Sequence, residues 1–435
     1  MFVRTSIDPT FDANEADSLF RRVSWRLMPL LFLGYVIAYL DRVNVGFAKL
    51  QMVNDLHFSE AAYGLGAGLF FIGYFFFEVP SNLLMHRVGA RRWIARIMVT
   101  WGALSIATAF VRTPMMFYVM RFLLGIAEAG FFPGMVLYLT YWFPSHRRGK
   151  MVALLMAGNP VSGLFGGPLS GYIMHEMHGT LGMGGWQWLF IIEALPAIAL
   201  GAVIFFSLDD RVADARWLGP DEKRLIQNEI DAEALTHTHG SVRMVFTSLR
   251  VWLLCLILFG IVMGSYAIGF WQPTIIRGTG IRDPLMIGLL TTIPYSVALV
   301  SMIAAGRNAD RTRERRLHVA VPAVVAALGF TICAVNGDHA LLSMIGLTLA
   351  AGGVVTALPM FWALPTSFLG GTGAAAGIAL INCTGNLAGF VSPAVIGWLK
   401  TVTHTLTSGL LVVAASLALS AVLILALIPA RLVNK

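Results

Sequence analysis

Charge is scarce in this chain. Asp, Glu, Lys and Arg make up only 12% of its 435 residues, about half the ~25% of an ordinary soluble domain. Apolar residues fill 57%. A disordered tail or a nucleic-acid footprint needs dense charge, so the formal net charge of +8 is read by position first. The basic residues fall at the ends of apolar runs, which makes them topology marks. Cysteine is scarcer still: Cys255, Cys333 and Cys383 all lie inside apolar runs, which excludes a disulfide framework. The histidines fall in loops or at run ends, and His237 with His239 is too few for a metal centre. No nucleophile–base pair of a hydrolase is visible. No cofactor, metal or enzymatic activity is expected, and no nucleic-acid partner. The first twenty residues lack an apolar core with a cleavage site, so no removable signal peptide is expected.

What fills the chain is a series of long apolar runs. About 20 such residues cross a hydrocarbon core, and twelve spans are expected: 25–48, 60–84, 93–111, 115–142, 150–174, 187–207, 250–274, 285–305, 317–336, 340–364, 374–399 and 407–430. This is an all-α protein embedded in a lipid bilayer. Connections are short except for 208–249, where an amphipathic helix should start near Pro220 with Asp221 and Glu222 in its first turn. The expected organisation is an N-terminal six-helix bundle (1–207), a central loop (208–249) and a C-terminal six-helix bundle (250–435). Lys and Arg gather at 21–26, 87–92, 147–150 and 307–316, while the opposite, outside ends hold only Lys49, Arg112, Arg277, Arg282 and Lys400, which places both termini in the cytoplasm. The loop 365–373 carries no charge and departs from that rule.

The halves echo each other. HRVGARR (86–92) follows span two, and GRNADRTRERR (306–316) follows span eight. TYWFP ends at Pro144 and FWALP at Pro365; Gly171–Tyr172 matches Gly397–Trp398. A repeat of six helices is the mark of transporters whose halves rock about a midplane site.

Against this background the internal charges stand out. YLDRVN (39–44) puts Asp41 and Arg42 alone in a 22-residue apolar run from Leu27 to Ala48. Each disfavours insertion by roughly 2.5–3.5 kcal/mol at a helix centre. In span four, Arg121 and Glu128 are the only charges between Pro114 and Phe143. Seven residues is nearly two turns, so they share one helix face, turned away from lipid. A guanidinium stays charged and grips a carboxylate in a two-pronged fork; a buried acid can gain and lose a proton. Asp41 and Glu128 therefore read as proton-binding groups, and Arg42 and Arg121 as the anion site. The alternative is a set of ion pairs that merely holds spans one and four together. Glu78 and Glu193 read as structural. The C-terminal half has no acid within its spans and no charge from Ala340 through Leu399. It offers neutral groups: Trp271, Gln272, Trp362, Asn382 and Asn386. Glycines spaced by four (Gly64/Gly68, Gly163/Gly167/Gly171, Gly260/Gly264, Gly385/Gly389) read as close helix contacts.

These features resemble the major facilitator superfamily, whose fold is two pseudo-symmetric six-helix bundles. Gly306, Asp310 and Arg311 match its G-x-x-x-D-R gating loop. The first copy departs, with Asn82 and His86 in place of Gly and Asp, while Arg87, Gly89 and Arg91 fit. YLDRVN, RFLLGIAEAGFFPG (121–134), INCTGNLAG (381–389) and Trp362 are similar to the anion:cation symporters. That resemblance implies uptake of a small organic carboxylate, such as a sugar acid, hydroxy-dicarboxylate or aromatic carboxylate, with protons, sodium being the other candidate ion. It also implies a monomer in a bacterial inner membrane, and a cavity to which Tyr39, Tyr74, Asn159, Trp362, Asn382 and Asn386 contribute. GLFGGPLSG (163–171) partly resembles the motif of drug antiporters, lacking its upstream glycine. A proton-driven exporter is the alternative.

Overall fold

The computed structural model describes residues 13–234, 247–365 and 371–433. His237 and His239 lie outside these residues, as does most of the uncharged loop 365–373. Eleven described helices are long and apolar enough to cross a membrane. They are Asn14–Asp55, Glu60–Val88, Pro114–Thr140, Ser145–Glu176, Gly185–Ser207, Leu249–Gly278, Pro284–Thr312, Leu317–Val335, Ala340–Phe361, Gly377–Thr403 and Thr407–Leu427. Each covers one expected span. The remaining span, the third, is the helix Ala90–Thr108, which Arg91, Arg92 and Arg96 make too charged for that set. It packs against span six, with Gly102 close to Ile198 and Ala194.

Local chemistry explains the starts. Ser59 Oγ accepts from Ala62 N–H at 3.0 Å, and Thr113 Oγ1 from Met116 N–H at 3.2 Å ahead of Pro114. Asp283 accepts from Leu285 and Met286 N–H. Each caps orphan amides at a helix N-terminus. Span one is far longer than its apolar run. Its first turns are charged outside and bury Ala16, Leu19, Phe20 and Val23 inside, a pattern that hydropathy alone does not detect.

Three helices break within the bundle. The turns fall at Asn44, at Ala129–Gly130 and at Ala157. Gly130 is left-handed (φ 83°), and a side chain there would collide with Ser81. The break makes Glu128 the last residue of its helix segment. Nothing in the apolar pattern announced it.

The two bundles meet through spans two and eleven, spans five and eight, and the end of span one with span seven. Their contacts gather at the end opposite the termini. A Cβ on Gly64 would meet Pro393 O; on Gly68, Phe390; on Gly167, Thr291 and Gly288; on Gly389, Phe71. These glycines form close contacts between the halves. Gly260, Gly264 and Gly385 form theirs within the C-terminal bundle, against Ser416, Leu417 and Leu258.

Polar ties close the same end. Lys49 pairs with Glu60 at 2.7 Å, donates to Thr274 at 3.1 Å and stands 3.7 Å from the centre of the Trp271 ring. Lys400 reaches Glu60 from the other bundle at 2.5 Å. Arg277 donates to Leu50 O, and His175 meets Asp283. Lys49 and Trp271 were expected at a solvated end and in the ligand cavity. Both are instead buried in this closure, Lys49 because the last turns of span one fold under span seven.

The amphipathic helix is Pro220–Ala234, with Leu225 and Ile226 buried. It is tied to the N-terminal bundle by Glu222 with Arg22 and by the stacking of Trp217 on Trp142.

Candidate functional site

Asp41 and Arg42 are adjacent, and neighbouring helical residues point ~100° apart. They accordingly turn to different partners. Arg42 forms an ion pair with Glu128, whose side chain is fully enclosed. Its guanidinium carbon also lies 5.2 Å from the Phe70 ring centre and 5.3 Å from that of Tyr74. Arg121 lies 5.1 Å over Phe70, so one ring supports both guanidinium groups. Arg121 is 0% exposed, and none of its three side-chain nitrogens has a hydrogen-bond partner among the described residues. It lies within electrostatic reach of Asp41, Glu128 and Arg42. A solute reaches it only once its enclosure opens, whereas Arg42 retains 14% exposure.

Asp41 turns the other way. Its Oδ1 accepts from Ser105 Oγ at 2.6 Å and Asn44 Nδ2 at 3.2 Å. Tyr39 is buried beside Tyr35. Asn382 and Asn386 come close to Glu78 from the opposite bundle, Asn382 Nδ2 at 3.5 Å from Glu78 Oε1. Glu78 thus faces the passage between bundles rather than a basic residue at the membrane edge. Trp362 is half-buried against Phe361. Asn159 is half-buried where span five resumes after its break, next to Gly158, which packs on Tyr35. The structure brings together Arg42, Arg121, Glu128 and Tyr74. It sets Asp41 one layer away, and Trp362 and Asn159 at the periphery.

The loop residues divide. Gly89 has φ 98°, and its Cβ position is filled by the Asp210 carboxylate, which also accepts from Arg91 N–H at 2.8 Å. Arg87 is exposed. Gly306 is half-buried, and Asp310 and Arg311 are exposed. A groove of about 870 Å³ between the start of span one and span five is lined by Phe20, Trp25, Phe32 and Met151. It includes none of the charged centre.

Sequence reasoning missed Phe70, Ser105, Asn44, Glu78 and Glu193 as parts of this centre. Asn44 had a signal, one turn after Asp41 in the same motif. Glu193 had the plainest one, an isolated carboxylate in an otherwise apolar helix. It was assigned a structural role. Lys49, expected at a solvated end, is a further buried cation besides Arg121.

The sequence pattern of the Major Facilitator Superfamily matches residues 31–393. The chain is 48% identical to the "Putative metabolite transport protein NicT" of Pseudomonas putida, over 96% of each chain. It is 47% identical to a "Putative tartrate transporter" of Agrobacterium vitis, over 94% of this chain and 90% of that one. It is 40% identical to a "Quinolone resistance transporter" of Acinetobacter baumannii, over 90% of each. In shape it is similar to the xylose transporter XylE from E. coli in a partially occluded inward-open conformation. There the TM-score is 0.76 at 15% identity, covering 93% of this chain and 98% of that one. The two-bundle fold, the internal charges enclosed between apolar spans and these likenesses agree: the chain belongs to the Major Facilitator Superfamily, a multi-pass membrane transporter of small molecules and not an enzyme.

Proposed function

We propose that this transporter takes up a small organic carboxylate together with protons by alternating access. The observation that carries the reading is the ion pair of Arg42 with Glu128. One guanidinium is shared between an internal acid and the passage, so a proton on Glu128 frees Arg42 for a substrate carboxylate. The two ligands then help each other, and linkage makes the help reciprocal. Arg121 serves as the second anion-binding cation once the site opens. Asp41 is a further proton-binding group. Tyr39, Tyr74, Asn159, Trp362, Asn382 and Asn386 supply neutral contacts to the rest of the ligand.

Closure at the Lys49–Glu60–Lys400 end and the loops with Arg87, Gly89, Arg91, Gly306, Asp310 and Arg311 act as the two gates. The division at 208–249 makes each bundle a rocking unit, in a monomer in the bacterial inner membrane with cytoplasmic termini. The tartrate relative supports the substrate class. The quinolone-resistance relative favours a second reading, a proton-driven exporter.

Uptake into proteoliposomes separates the two. A panel of sugar acids, tartrate and aromatic dicarboxylates is tested with and without a pH gradient, beside the neutral sugar matching each sugar acid. Accumulation of an acid but not its neutral counterpart, driven by an inward proton gradient, is expected. Equal transport of both, or expulsion driven by the gradient, rejects the symport reading.

A further inference from the structure

The charged centre extends beyond the ion pair, into span six. Glu193 is 2% exposed, in a helix whose other buried residues are apolar or glycine. Its Oε1 accepts from Ser170 Oγ of span five at 2.6 Å. Asn44 donates to Asp41 Oδ1 at 3.2 Å, and both Asn44 and Asp41 lie within electrostatic reach of the Glu193 carboxylate. Of the charged groups on spans one, three and five, which pack against it, the one within its electrostatic reach is Asp41. Asp41 Oδ2 and Glu193 Oε2 are buried with no hydrogen bond of their own among the described residues.

The charge count is unequal. With Glu78 set apart, because it faces the passage and the amides of the other bundle, Arg42 and Arg121 stand against Glu128, Asp41 and Glu193, two cations against three carboxylates. Arg42 is already committed to Glu128; Arg121 and Glu128 both lie within electrostatic reach of Asp41 with opposite effects, and among the described residues Arg121 bonds neither remaining acid. An uncompensated buried charge costs several kcal/mol, and two linked carboxylates in one site cannot readily both ionise. One added positive charge makes the set neutral.

We propose that Asp41 and Glu193, with Asn44 beside them, are a two-carboxylate site holding one proton between them. The proposal deepens the symport reading above and rests on it for the proton's role in transport. Hydroxyl and amide donors from Ser105, Ser170 and Asn44 occupy one oxygen of each carboxylate, Asp41 Oδ1 and Glu193 Oε1, and leave the other oxygen of each to take the proton. A cavity of about 20 Å³ adjoins the pair, lined by Asn44, Ser162 and Ser170 on one side and Gln272, Thr291 and Tyr295 on the other. That is room for about one water. The cavity lies in the contact between bundles, so parting them at the end opposite the termini wets it. A hydronium then gives its proton to a carboxylate oxygen, forming one O–H bond, and leaves as water. Reclosure seals the proton in.

Infrared titration of the purified full-length protein tests this without any substrate, through the C=O stretch of protonated carboxyl groups. The parent and the variants Glu193→Gln, Asp41→Asn and the double variant are titrated with and without sodium. The double variant should lack one protonated carboxyl that the parent shows. In Glu193→Gln the remaining acid loses its like-charged neighbour, so its proton affinity should fall by about tenfold or more. Ser170→Ala, a mild change if Glu193→Gln misfolds, removes a donor to the ionised form and should raise the affinity. Identical titrations in the parent and both single variants overturn the shared proton, as does displacement of the band by sodium. Failure of the symport reading appears separately: the band behaves as stated, yet the parent accumulates no carboxylate on a pH gradient.

Discussion

The two bundles share a fold and differ in what they bury. In the N-terminal bundle the enclosed polar residues include Asp41, Lys49, Glu78, Arg121, Glu128 and Glu193; among the described residues of the C-terminal bundle they are Gln272, Thr291, Ser343, Thr356, Ser392 and Ser420. A pseudo-symmetric pair of bundles has thus become chemically one-sided. Burying a charge demands a matched partner at short range, and a partner within the same bundle survives rocking. A partner across the gap does not. In the alternating-access reading proposed above, concentrating charge in one bundle lets the centre persist through the cycle, while the other supplies surfaces that meet and leave it at little electrostatic cost.

The sharpest way to break this contrast is Arg42→Ala. It leaves Glu128 enclosed and unpaired, a loss worth about 3–5 kcal/mol for a buried pair. Both net uptake and exchange should fall by about a hundredfold or more, measured in proteoliposomes normalised to reconstituted protein. Retained exchange would place anion binding elsewhere. Next in size is Gly167→Leu. Any Cβ there overlaps Thr291 and comes close to Gly288 O, so the bundles cannot reclose. Turnover should drop at least about tenfold by the same assay, with normal membrane insertion. Undiminished turnover would show that this contact does not move.

Asp41→Asn affects one ligand only. The amide can still take hydrogen bonds from Ser105 and Asn44 on its oxygen, so packing survives, but the group no longer titrates. Accumulation on a pH gradient should vanish, while exchange of labelled substrate stays within about threefold of the parent. Accumulation equal to the parent's would make Asp41 structural.

Much of this architecture was legible beforehand because membranes impose long apolar runs, and each run reports one helix. Asp41, Arg42, Arg121 and Glu128 were legible for the complementary reason that intramembrane charge is costly and therefore conspicuous. What escaped depended on the third dimension. Phe70 is one phenylalanine among 28, and only packing shows that it lies under two arginines. Ser105 carries no cost that would flag it. Lys49 was misplaced because the end of a run looks solvated whether or not another helix covers it. The break at Ala129–Gly130 needs a φ of 83° at the glycine, and glycines are too common in these spans to signal one.

The smallest expected effect tests the neutral side directly. Asn382 reaches from span eleven to Glu78 at 3.5 Å, a long contact, and is itself half-buried. Asn386 also faces Glu78, so losing one amide leaves the carboxylate with another donor. A hydrogen bond to a charged group is worth about 1.5–3 kcal/mol when well formed, and this one is stretched and replaceable. Asn382→Ala should therefore raise KM by about threefold and leave the dependence of accumulation on the pH gradient unchanged. The unchanged gradient dependence is the informative half, because a neutral contact tunes affinity without carrying the coupling ion. If Asn382→Ala instead abolishes gradient-driven accumulation while sparing exchange, as expected for Asp41→Asn, then Glu78 and its partners across the gap belong to the proton path. Coupling would then span both bundles, and the one-sided arrangement would describe where charge is stored and not where it is used.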